Sequence, residues 1–125
     1  MNKIKFLGIW MDHSNAFLME LYNHKISSKK IIVKTNQKEE DNVDSHEIQS
    51  HSKEASQHRA GFFKEISNVI RNYQNVLLFG PTDAKNELYN LLREDHRYEN
   101  TKFELRNTDK MTEDEMHQYV VEYFR

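Results

Sequence analysis

A chain of 125 residues with 37% hydrophobic and 30% charged residues has room for one core, built from a few well-patterned segments under a heavily charged surface. Its 18 basic and 20 acidic residues are interspersed and give a formal charge of −2, without the basic excess of a general nucleic-acid or membrane binder. The absence of cysteine excludes a disulfide framework, a thiolate metal site and a cysteine nucleophile.

Lys3 and Lys5 precede a brief apolar run that Asp12 and His13 end, too short for a signal-peptide core or a membrane span, so a cytoplasmic protein is expected. From Ile4 to Met11 the residues are apolar almost throughout, the pattern of a central strand. Asp12-His13-Ser14-Asn15 is a turn signal, and Ala16 to Tyr22 reads as a second strand with Phe17, Met19 and Leu21 on one face. Asn23-His24 makes a tight reversal into a third strand, about Lys25 to Thr35. The chain thus opens with an antiparallel meander.

Residues 36–53 are dominated by Gln, Lys, Glu, Asp, Ser and His, a composition that cannot offset its own ordering entropy; a mobile polar loop is expected, functional or simply disordered. Helix one is expected from about Glu54 to Tyr73, where Phe62, Ile66, Val69, Ile70 and Tyr73 share one face. It leads into Val76 to Phe79, a short apolar run of the kind buried on both faces of a sheet.

Helix two is expected over Thr82 to Arg93, with Ala84, Leu88, Leu91 and Leu92 buried. Lys102 to Arg106 alternates charged and apolar residues, as a half-exposed edge strand with Phe103 and Leu105 inward. The last helix begins at the capping box Thr112-Glu113-Asp114-Glu115, with Met111 and Met116 as a hydrophobic staple. Its apolar stripe is Met116, Tyr119, Val120, Tyr123 and Phe124. The predicted fold is a single α/β domain over residues 1–125, order βββαβαβα, with a mixed five-stranded sheet and right-handed crossovers.

One junction suggests a site. Gly80 can adopt backbone angles closed to other residues, Pro81 cannot extend a ladder, and Thr82 or Asp83 can cap the following helix, with Lys85 one turn in. The helix start points its N–H groups out of the carboxyl edge of the sheet, where ligands of open α/β sheets sit. Gly80, Thr82, Asp83 and Lys85 are therefore candidate ligand or anion contacts; a well-capped turn with nothing bound is the commoner outcome, since helix N-termini are anion-friendly far more often than anion-occupied.

Two stretches carry a family resemblance. Gly8-Ile9-Trp10-Met11-Asp12-His13-Ser14-Asn15-Ala16 and Leu77-Leu78-Phe79-Gly80-Pro81-Thr82-Asp83-Ala84-Lys85 resemble the first strand and turn, and the strand-Gly-Pro-x-x-x-Lys junction, of the middle domain of eukaryotic and archaeal peptide-chain release factors and their relative Pelota. Gln57-His58-Arg59 and Phe62-Phe63-Lys64-Glu65-Ile66 stand where that family begins its long first helix. The likeness is greatest to small bacterial relatives of that domain and covers nearly the whole chain.

The resemblance implies a ribonuclease-H-like fold and a partner in translation, the ribosome and its rRNA or a translation-related protein, with no membrane and no cofactor. In release factors the loop before the first helix ends in Gly-Gly-Gln, which positions a water for peptidyl-tRNA hydrolysis. Here Ser50 to Gln57 contains no Gly-Gly, and Gln57 falls within the expected helix. Peptide release is not expected; likeness to Pelota, which also lacks the tripeptide, implies a role on stalled or idle ribosomes. On that reading Lys53, Gln57, His58 and Arg59 are candidate RNA or partner contacts, and Lys25, Lys29, Lys30, Lys34 and Lys64 extend them. Lysines on an edge strand also serve simply to block edge pairing.

Other chemistries find little support. His46, His51 and His58 are five and seven residues apart beside the loop, without preorganised ligand spacing, so no metal site is expected. A metal-dependent nuclease would need Asp12, Glu65 and Asp83 to converge on divalent ions, whereas Asp12 and Asp83 serve equally as turn and helix-start residues. No nucleophile elbow, phosphate-cradling glycine loop or dinucleotide fingerprint is present.

Overall fold

The computed structural model describes residues 5–32 and 60–124. The opening segments form β1 (Phe6–Met11), β2 (Asn15–Tyr22) and the mostly polar β3 (Lys25–Ile32), an antiparallel meander. Asp12 makes the first turn, its Oδ1 accepting from the backbone N–H of Ser14 and Asn15 at 2.8 and 2.7 Å. Asn23 and His24 make the second with φ of 56° and 66°, the two positive angles that fit a two-residue turn to the strand twist.

The remaining described elements are α1 (60–70), β4 (Asn75–Gly80), α2 (Ala84–Leu92), a 3-10 turn at His96–Tyr98, β5 (Lys102–Asn107) and α3 (Glu113–Tyr123). β4 runs parallel to β1, and β5 parallel to β4, giving the sheet order β3-β2-β1-β4-β5. The expected order of elements and the mixed five-stranded sheet are both present among the described residues. β2, β1 and β4 are the inner strands; β1 and β4 are buried on both faces from their second residue on, which is why their sequences read as apolar runs.

Strand alternation divides the core in two. Leu7, Ile9, Leu18, Val76 and Leu78 face α1 and α2, meeting Phe62, Phe63, Ile66 and Ile70 of the first helix and Ala84, Leu88 and Leu92 of the second. Trp10, Met19, Leu21, Leu77 and Phe79 face α3, meeting Met116 and Val120. The predicted capping box is formed: Thr112 Oγ1 accepts from Glu115 N, and Glu115 Oε1 accepts from Thr112 N.

Several expectations need correction. α1 ends at residue 70, and the amides of Asn72 and Tyr73 turn back to Val69 O and Ile70 O in tighter i→i−3 bonds. Tyr73 leaves the helix and its hydroxyl donates to the Glu20 carboxylate. α2 begins at Ala84, two residues later than expected, and Leu91 is 60% exposed because Leu88 and Leu92 take the inward face. Residues 33–35 of the expected third strand, the loop expected over 36–53 and the first residues of the expected helix one, to 59, lie outside the described residues. Among the described residues no helix is long and apolar enough to cross a membrane.

Candidate functional site

β1, β4 and β5 are parallel, so their carboxyl ends reach one edge of the sheet together with the 12–15 turn, the 81–83 junction and the segment after Asn107. Gly80 makes the junction possible. Its φ is +149°, and a Cβ there would lie 2.3 Å from Met11 O. Only a residue without a side chain lets β4 pass β1 this closely and then turn.

The four predicted junction residues come together, with roles sequence did not assign. Thr82 Oγ1 accepts from Ala84 N at 3.2 Å. Asp83 occupies the N-cap position, yet its carboxylate makes no cap to a backbone amide; its Oδ1 accepts from Asn86 Nδ2 at 3.3 Å, and its carbonyl accepts from Asn86 N and Glu87 N. Lys85 is 1% exposed, and its Nζ donates to Thr82 O at 2.7 Å. Burial pushes its pKa below the usual lysine value, opposed in part by the Asp83 charge. The ammonium is thus turned back to hold the 81–83 turn.

Three further features were not read from sequence. His13 Nε2 lies 3.2 Å from Glu87 Oε2, tying the β1–β2 turn to α2 across the edge. Among the described residues, the buried indole N–H of Trp10 and the buried hydroxyl of Thr108 have no hydrogen-bond partner. Thr108 donates its amide to Gly80 O at 3.1 Å, so β5 continues to pair with β4 one residue beyond the strand. No periodicity links positions 13 and 87; only the parallel pairing of β1 and β4 makes them neighbours.

The carboxylates weighed for metal-ion chemistry are dispersed: Asp12 is spent on its turn, Glu65 is exposed on α1, and Asp83 heads α2. Among the described residues no three His, Cys, Asp or Glu side chains are placed to hold a metal. Lys53, Gln57, His58 and Arg59 lie outside the described residues. Lys25, Lys29 and Lys30 are exposed on β3, where alternation sends the first two to the α1 side and Lys30 to the α3 side, over the Phe17 ring at 5.1 Å. They form a basic edge rather than a basic face.

Among solved structures the chain superposes on Pelota from Thermoplasma acidophilum with a TM-score of 0.60 and 12% identity, over 94% of this chain and 32% of that one. Pelota from Archaeoglobus fulgidus gives 0.62 and 11%, over 95% and 31%. An archaeal translation termination factor gives 0.55 and 14%, over 96% and 39%. The fold is Pelota-like. At these identities the likeness is one of fold, and the chain spans about a third of the length of each of these proteins. No protein-family model and no curated sequence matches the chain.

Proposed function

We propose that this Pelota-like chain is a cytoplasmic, translation-associated domain that binds the ribosome without catalysing peptide release, in a rescue or hibernation role. The observation that carries this reading is the superposition of almost the whole chain on Pelota and on an archaeal termination factor. The three glycines, at positions 8, 61 and 80, are never adjacent, so no Gly-Gly-Gln is available for ester hydrolysis. The basic β3 edge supplies charges for rRNA phosphates, and Lys53, Gln57, His58 and Arg59 are proposed as further contacts.

Sucrose-gradient sedimentation of tagged protein in lysate tests it. Migration with ribosomal particles is expected at ~50 mM salt and a marked loss at ~200 mM, since phosphate contacts release counterions. Protein that stays at the top of the gradient at both salts, in growing and in starved cells, removes the ribosome from the reading.

A second reading, a small-anion or protein-interaction module at Gly80, Thr82, Asp83 and Lys85, has one observation in its favour: the Asp83 carboxylate makes no cap to α2, although Thr82 Oγ1 and Asp83 O already take the amides of Ala84, Asn86 and Glu87. Against it stands the Lys85 ammonium, buried and held on Thr82 O. Inorganic phosphate that raises the melting temperature of wild type but not of Lys85→Ala would favour this module over the ribosome.

A further inference from the structure

The two edges of the sheet carry different charge patterns. β3 presents Lys25, Lys29 and Lys30, with no carboxylate from Leu21 to Ile32, so a second β3 laid against it would meet like charges. β5 alternates instead. Lys102, Glu104 and Arg106 lie on the α3 side, where Arg106 pairs with the Glu104 carboxylate of its own strand and sits over the Tyr123 ring at 5.5 Å, a pair that two copies can exchange; Phe103 and Leu105 pack on the opposite side.

The direction of the β5 backbone groups follows from two bonds. Lys102 N donates to Gln74 O at 2.7 Å and Thr108 N to Gly80 O at 3.1 Å, both toward β4. Alternation therefore turns the N–H and C=O of Phe103, Leu105 and Asn107 outward, along an edge that no other described strand covers.

We propose that this edge pairs with β5 of a second copy of the chain, antiparallel, about a two-fold axis through Leu105. Leu105 then lies opposite Leu105, and Phe103 opposite Asn107, in the positions that exchange hydrogen bonds; the outward groups supply about six across the interface. Glu104 falls opposite the second copy's Arg106, and Arg106 opposite its Glu104, in the closer positions between the bonded pairs.

Charge and strand length select this register. Centring on Glu104 sets Glu104 against itself and Lys102 against Arg106. Centring on Phe103 runs the pairing off the strand at Lys102 and into the turn before it. The half-buried Tyr89, edge-on to Phe103 at 5.5 Å, flanks the edge on the α2 side, and Tyr123 flanks it on the α3 side. Two five-stranded sheets become one, and the two-fold contact closes without leading to fibres.

Sedimentation equilibrium of the full chain across ~5 to ~200 μM tests the pairing, with a limiting mass of twice 15.1 kDa expected for wild type. Glu104→Arg, which opposes arginine to arginine, should weaken the dimer at least ~10-fold. The swap Glu104→Arg with Arg106→Glu should restore it, with circular dichroism checking the fold of each variant. Leu105→Pro removes an outward donor without touching a β4 bond and should give monomer. A wild type that stays monomeric throughout, or a dimer that survives both Glu104→Arg and Leu105→Pro, overturns the proposal; a swap no tighter than Glu104→Arg overturns the register.

Discussion

Gly80 and Lys85 show how much of the carboxyl edge depends on single residues. At Gly80 both the φ of +149° and the 2.3 Å approach to Met11 O exclude a side chain. Gly80→Ala is expected to cost about 2 kcal/mol or more, seen as a lower urea midpoint at unchanged m-value. Lys85 is the opposite case, a side chain held at a cost. Burial depresses its pKa, so the folded protein sheds this proton at a lower pH than the unfolded chain does. Between the folded value and the unfolded one the unfolded chain binds more protons, and this contribution to stability rises with pH. Relative to Lys85→Met, which has no proton to lose here, wild type should therefore gain stability as the pH rises from neutral toward about pH 10, read in parallel urea melts. Tyr73 works the other way, because burial and the Glu20 carboxylate raise its pKa above the ordinary tyrosine value, but it titrates alike in both proteins and leaves their difference untouched.

At the scale of elements, α3 owes its position to a missing side chain on β1. A Cβ on Gly8 would lie 2.4 Å from Val120 Cγ2, so the helix rests directly on the strand backbone there. Around that contact Tyr119 stacks on Phe79 at 4.7 Å and Phe124 on Phe6 at 4.5 Å, fixing the middle and the carboxyl end of the helix against the sheet. Gly8→Ala should cost about 1 to 3 kcal/mol by overpacking, and Val120→Ala in the same chain should recover part of that loss, giving a favourable coupling in a double-mutant cycle. The N-terminus of α3 is held separately by its capping box, and Thr112→Ala should cost about 1 kcal/mol in thermal or urea melts. β1 and β4, buried on both faces, should be the last strands to exchange their amide hydrogens, ahead of neither edge.

At the scale of the whole molecule, one sheet presents two edges of different chemistry. The lysines of β3 repel another β3 and attract polyanions; the alternating signs of β5 complement a second β5. The two proposals are therefore separable. Lys29→Glu with Lys30→Glu should lower the salt slope of ribosome binding by about 2 and leave the dimer unchanged, whereas Glu104→Arg should do the reverse.

Sequence by itself determined the elements, because local pattern and local chemistry suffice for them: the apolar run of β4, the alternation of β5, the heptad-like faces of α1 and α3, the Asn23-His24 reversal and the Thr112 capping box. It also gave the junction at Gly80, since glycine followed by proline is readable without neighbours. Tertiary structure decided what those residues do. The depth at which Lys85 sits, and hence the fate of its charge, depends on α2 packing over β4 and β5. The bridge from His13 to Glu87, the contact of Gly8 with Val120 and the Leu91 exposure likewise depend on which strands adjoin and how each helix is rotated on the sheet. These are relations between segments distant in the chain, and no local pattern encodes them.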